Sequence, residues 1–268
     1  MRIHKCFLLL LVLLVASNSF NATAADQRLR IVTEDLPPYN YLTNQGNLSG
    51  ASIEIVQALL ETLKLETKIE ILPWARAYKE ALTEPNVLIF SLLRTNEREN
   101  SFHWLSPITP INIKVFAMPA SAIVPFSDLN YIGNKTLGVV RHSSQVDFVN
   151  RHKKITRKNL VIGRSFEQLY KMNLLGRVDL FMAPELLVQY LNYSGGIKPG
   201  QQPQPVYVLP ERLQRKLYLA FSKTTPLSRV SRFRQTLDQM HKNGQINKIL
   251  YDFRLQLAQV NTNALTVK

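Results

Sequence analysis

The chain has 268 residues, 33 Lys and Arg against 19 Asp and Glu, and a formal net charge of +14; its length suits one large domain or two small lobes. The single cysteine, Cys6, excludes a disulfide framework, and its place in a leader segment leaves no thiol or cysteine-ligated metal site in the mature chain. So basic a balance would fit nucleic acid in a cytoplasmic protein, but the leader argues for export, and the charges are scattered apart from RHKKITRKN at 151–159, which reads as a solvated helix end and loop.

In the leader, Arg2, His4 and Lys5 precede an apolar run from Phe7 to Ala16, and Ala22-Thr23-Ala24 offers a small-residue cleavage site. Together these read as a signal peptide over 1–24, removed on export to a bacterial periplasm. The run is too short to span a bilayer, and nothing later is long and apolar enough to do so. LRIVT (29–33) then predicts a strand, and Ile53, Val56, Leu60 and Leu63 mark one face of a helix. TKIEIL, WARAYKEAL and VLIFS predict strand, helix and strand, and IKVFAM (113–118) predicts a further strand ending at Pro119. The pattern restarts with TLGVV as a strand and SSQVDFVNRH as a helix opened by capping serines. NLVI, SFEQLYKMNLL and DLFMA predict strand, helix and strand, and PELLVQYLN a helix with proline in its first turn. Residues 194–205, rich in Gly, Pro and Gln, read as loose chain; RKLYLAFS follows as a strand, and LSRVSRFRQTLDQMHKN and QINKILYDFRLQL as closing helices split at Gly244.

Two β-α-β-α-β runs in series predict an α/β protein of two lobes, each a mainly parallel sheet flanked by helices, with a ligand cleft between them. The helical tail lacks a sheet of its own and is expected to pack back on the first lobe. The expected division is 25–118 for the first part of lobe one, 119–220 for lobe two and 221–268 for the return of lobe one. Crossings near Met118 and Phe221 would then form a hinge.

Several residues are candidates for a site. SLLRTNEREN (91–100) directly follows the apolar run NVLIF, so Arg94 and Arg98 stand where a buried strand has just left the core, either as a solvated turn or as an anion site. Ser91 and Thr95 offer hydroxyl or backbone donors nearby. PWARAY opens a helix, which places Trp74 and Arg76 at its N-terminal end, facing the strand tips. Glu34, Asp35 and Tyr39 occupy the first strand-to-helix turn, where an acid either meets a ligand amine or caps the turn. Ser143 and Ser144 stand at a helix N-terminus, where free N–H groups favour an anion and where plain N-capping serves equally. No Ser-His-Asp order, paired carboxylates of suitable spacing or metal cluster is legible.

The chain resembles the family 3 bacterial extracellular solute-binding proteins, the periplasmic receptors of polar amino acid ABC importers. The resemblance runs from LRIVTEDLPPYNYLTNQGNLSGASIEIVQAL to LDQMHKNGQINKILYDF and includes TNERENSFHWLSP, LGVVRHSSQ and LLGRVDLFMAPE. It implies the two-lobe periplasmic-binding-protein fold of type II and capture of a small anionic or zwitterionic, amino-acid-like solute by hinge closure. By position in the Thr-x-x-Arg motif, it implies that Arg98 grips a carboxylate and that Trp74 stacks on the ligand; Arg94 is either solvated or a selector of which anion is accepted. Where relatives that bind amino acids carry an aspartate for the ammonium group, this chain has Pro184, with Glu185 beside it as a substitute or as first-turn helix chemistry. The implied partners are a small-molecule ligand and an ABC permease or a membrane sensor, with no nucleic acid, cofactor or metal, and a monomer is expected. The alternatives are a cyclohexadienyl-dehydratase-like enzyme, with Glu185 as general acid, and a ligand-sensing partner of a membrane receptor.

Overall fold

The computed structural model describes residues 28–121, 125–152, 155–209 and 215–266; the leader read over 1–24 lies outside the described residues. The elements run β1 (Arg30–Thr33), β2 (Tyr41–Leu42), β3 (Leu48–Ser49), α1 (Ala51–Leu63), β4 (Ile69–Ile71), α2 (Trp74–Thr83), β5 (Val87–Leu93), β6 (Phe102–Ile111) and β7 (Ile113–Ala117). They continue with β8 (Leu137–Val140), α3 (Ser144–Asn150), β9 (Leu160–Gly163), α4 (Phe166–Leu174), β10 (Leu180–Pro184), α5 (Glu185–Ser194), β11 (Gln204–Val208), β12 (Arg215–Ser222), α6 (Leu227–Lys242) and α7 (Gln245–Thr266). Two five-stranded sheets form, ordered β4-β1-β5-β12-β6 and β11-β7-β10-β8-β9, beside a β2-β3 ribbon.

The helix-linked strands pair parallel, β1 with β4 and β5, and β8 with β9 and β10. A parallel partner needs a crossover connection, and β6, β7 and β12 arrive without a helix before them. Each sheet is therefore mixed: β12 runs antiparallel to β5 and β6, and β7 runs antiparallel to β10 and β11.

The chain passes between sheets at Asn112 and returns between β11 and β12. These passages come before IKVFA and before RKLYLAFS, rather than after them near Met118 and Phe221. The apolar pattern of a strand is the same in either sheet, so the partner that decides its membership is set by tertiary pairing. Two strands of the five-stranded sheets were not expected, and both are sheet edges carrying proline: β6 contains Pro107 and Pro110, and β11 contains Pro205. Proline cannot donate to a ladder, so it argues against a central strand but is tolerated at an edge.

Two glycines bring elements together around the later site. Gly50 has φ +109°, and a Cβ there would lie 2.4 Å from the Tyr39 carbonyl oxygen. Only glycine lets the start of α1 close against the turn after β1, where Ser52 N donates to Tyr39 O at 2.9 Å. In the other half, a Cβ on Gly138 would meet Leu169 Cδ2 at 2.7 Å, so its absence lets α4 seat on β8.

Candidate functional site

A small cavity, about 30 Å³, lies between the two sheets at the carboxyl ends of their parallel strands, where open α/β sheets place ligands. From the first-sheet half, Glu34 follows β1, Trp74 opens α2, Ser91 and Leu93 end β5, and Arg98 sits in the loop to β6. From the second, Val140 ends β8, Pro184 ends β10, Phe166 opens α4, and Ser143, Ser144 and Gln145 surround the start of α3.

Arg98 is 3% exposed and is fixed from several sides. Its backbone N donates to Thr95 O at 3.0 Å, which closes the Thr-x-x-Arg spacing into a turn. Its Nη1 donates to Leu93 O at 3.3 Å, and its Nη2 donates to His142 O, in the other half, at 2.9 Å. The guanidinium carbon lies 4.7 Å from the Tyr78 ring centroid and 5.3 Å from that of Trp74, and these two rings stack at 5.2 Å. Burial lowers the Arg98 pKa from its usual value, while Tyr78, Asp147 and Glu34 pull it back up; an arginine in such company stays a cation at neutral pH. Its Nε has no hydrogen-bond partner among the described residues, and neither has Trp74 Nε1 or Thr95 Oγ1. All three groups can donate, and a buried donor left unmatched costs on the order of 1–3 kcal/mol.

Beneath this surface lies a buried polar network. Asn40 Nδ2 donates to Glu34 O at 2.7 Å and to Thr33 Oγ1 at 3.1 Å, and Thr33 Oγ1 donates to Phe90 O at 3.1 Å. Ser91 Oγ donates to Asn40 Oδ1 at 2.5 Å, so its hydroxyl is committed to the scaffold although the residue lines the cavity. Ser91 has φ +57° and His142 φ +56°, so a left-handed non-glycine residue stands beside the cavity in each half. Such backbone costs about 1–3 kcal/mol and gathers at functional sites.

Glu34 lines the cavity, and burial pushes its carboxyl up to about 8, against the pull of Arg98 and with a further push from Asp35. Asp35 itself is exposed and outside the lining. Tyr39 is buried against Phe253, at 6.2 Å between rings, and faces the core. Thr95 is 5% exposed and lies behind the lining. Arg76 is placed away from the strand tips: its side chain is 64% exposed, and Nε donates to Glu80 Oε1 at 2.8 Å, because position 76 lies on the outer face of α2. Arg94 also stands outside the lining. Its Nε donates to Glu99 Oε2 at 2.8 Å, and its guanidinium lies 5.5 Å from the Trp104 ring and 5.8 Å from that of Tyr218. Glu185 turns from the cavity to Lys114 Nζ at 2.6 Å, and it is Pro184 that faces inward. Ser143 and Ser144 line the cavity, yet α3 is only seven residues long and the Ser143 hydroxyl already caps Gln145 N. The sequence reading missed Tyr78, whose signal was the Trp74–Tyr78 spacing of one helical turn, and Leu36, Phe166 and Gln145, which carry no local signal. No group of three His, Cys, Asp or Glu that could hold a metal ion comes together among the described residues.

The family model for bacterial extracellular solute-binding proteins, family 3, matches residues 29–254. Among solved structures, the chain is similar to a histidine kinase sensor domain with similarity to periplasmic binding proteins, at 16% identity and a TM-score of 0.74 over 84% of this chain and 96% of that one. It is similar to an ancestral arginine-binding protein bound to arginine, at 17% identity and a TM-score of 0.73 over 84% and 97% of the two chains. An amino acid ABC transporter substrate-binding protein from Streptococcus pneumoniae, bound to L-arginine, matches at 16% identity and a TM-score of 0.70 over 87% and 97%. A search of curated proteins found no match.

Proposed function

The chain belongs to the bacterial extracellular solute-binding proteins, family 3, and on that premise we propose that it is a periplasmic receptor for a small anionic or zwitterionic, amino-acid-like solute. Two lobes, divided at Asn112 and between β11 and β12, close around the solute, and the closed form delivers it to an ABC permease at the inner membrane. Closure is a population shift: ligand favours the state in which both lobes touch it. One observation carries this reading. Arg98 and Trp74, each more than nine-tenths buried, present unmatched N–H donors at a cavity walled by both sheets. A carboxylate supplies the acceptors those donors lack, and a guanidinium grips it with two parallel bonds.

An enzymatic reading has less support, since Glu185, the carboxyl expected to act as general acid, is paired with Lys114 and does not line the cavity. The sensing reading draws on the likeness to a histidine kinase sensor domain, and it differs in the partner of the closed form and not in the site.

The test is a thermal-shift screen of amino acids, dicarboxylates and small monocarboxylates, followed by calorimetric titration of the hits. A ligand of the folded state raises the melting temperature. Arg98→Ala is expected to abolish binding, a loss of about 3–5 kcal/mol, with its circular dichroism unchanged. Arg98→Lys should recover only part of it, because a point charge does not reproduce the fork. Wild-type affinity in Arg98→Ala would overturn the reading.

A further inference from the structure

The chemical class of the solute follows from how charge is distributed around the cavity, and this step rests on the solute-binding reading above. We propose that the cavity takes monocarboxylates with an apolar body and no amino group, and discriminates against the matching amino acids.

Among the described residues, the wall from the second-sheet half has no charged lining residue. Its apolar part is Ile113, Val140, Phe166 and Pro184, and Leu36, Leu93 and Leu217 extend the apolar surface from the first-sheet half. Its polar members are Ser143, Ser144 and Gln145, and the Gln145 side chain folds back toward Val140 N and the Ser143 hydroxyl. Each acid next to this wall in sequence is directed elsewhere. Glu185, after Pro184, meets Lys114 at 2.6 Å; Glu167, after Phe166, meets Lys171 at 2.6 Å; and Asp147 acts on Arg98 without lining the cavity.

Among the described residues Glu34 is the one acid in the lining, and it belongs to the same half as Arg98. Burial holds its proton at neutral pH, so it enters the cavity as a neutral group that donates one hydrogen bond. With Arg98 charged and Glu34 protonated, a bound monoanion leaves the closed cavity electrically neutral. A zwitterion brings a second cation beside Arg98, and the one acid among the described lining residues must first give up a proton that burial retains. An ammonium enclosed without a counter-charge is strongly disfavoured. The remaining donors, Trp74 Nε1 and Arg98 Nε, ask only for acceptors. Apolar walls meet the rest of the molecule, which gains by leaving water.

The experiment uses three matched pairs: propanoate with L-alanine, isovalerate with L-valine, and isocaproate with L-leucine. Each is titrated calorimetrically into the mature protein near pH 6.5, with Trp fluorescence as a second readout. At least one acid is expected to bind at least about tenfold more tightly than its amino acid, since enclosing the ammonium requires Glu34 to lose its proton first. Pro184→Asp supplies the missing carboxylate at the end of β10 and should narrow or reverse that ratio. If it does not fold, the wild-type ratio alone decides. An amino acid that binds as tightly as its deaminated partner overturns the proposal and leaves the solute-binding reading standing. The same holds if none of the six binds while another member of the wider screen raises the melting temperature. If nothing in that screen raises it, the solute-binding reading falls as well.

Discussion

At the scale of single residues, burial turns ordinary side chains into specific ones. Arg94 and Arg98 share a spacing and a neighbourhood in sequence, and both lie over pairs of aromatic rings. Arg94 is 41% exposed and satisfied by Glu99, whereas Arg98 is nearly inaccessible and keeps an unmatched Nε. Arg94→Ala is accordingly expected to change ligand affinity little and stability by roughly 0–1 kcal/mol, as for an exposed ion pair. Glu34 gives a pH signature. Its folded pKa of about 8 lies above its ordinary 4.5, so folding takes up a proton between those values. Stability therefore falls as pH rises through that window and levels off above it. Glu34→Gln should remove this slope in chemical denaturation. At pH 9 it should make the unliganded protein more stable by on the order of 2 kcal/mol, allowing for the group's partial contact with the cavity. A wild-type slope retained in Glu34→Gln would assign the pH dependence to other groups.

Among the elements, the helix-linked strands were legible and the proline-bearing edge strands β6 and β11 were not. VLIFS and DLFMA read as strands because their apolar runs are continuous, and β5 and β10 are buried along nearly their whole length. FHWLSPITPI alternates buried and half-buried positions as an edge strand does, but its prolines hid the pattern. The fit of α4 on β8 rests on Gly138 receiving Leu169. Gly138→Val is expected to lower the urea midpoint by an amount equal to about 1–3 kcal/mol, the usual cost of overpacking. Because Val140 ends the same strand and lines the cavity, the substitution should also weaken ligand binding. Leu169→Ala in the same background should recover part of the loss, since it removes the opposing atoms.

For the whole molecule, contacts between the halves set how readily they close. Arg98 donates to His142 O, Arg151 pairs with Glu97, and the rings of Tyr41 and Tyr190 lie 5.3 Å apart. The Arg151–Glu97 pair is exposed, so it contributes roughly 0–1 kcal/mol and is screened by salt. Glu97→Gln is expected to reduce ligand affinity by up to about fivefold at low ionic strength, through a smaller closed population, and by less at high salt. Small-angle scattering should show a larger radius of gyration for the unliganded variant. An affinity that is unchanged at low salt would remove this pair from the closure.

Local pattern alone determined the alternation of strands and helices, the apolar face of α1, the family resemblance and the turn that carries Arg98, because each depends on neighbours within a few residues. Sheet membership of IKVFA and RKLYLAFS, the outward course of Arg76, the pairing of Glu185 with Lys114 and the raised pKa of Glu34 depended on groups far apart in the chain. Composition gave a charge of +14, yet the described residues lining the cavity include a single buried arginine and a carboxyl that keeps its proton. Charge at a site is governed by desolvation and by the neighbour across the cleft, and both exist only once the two sheets have come together.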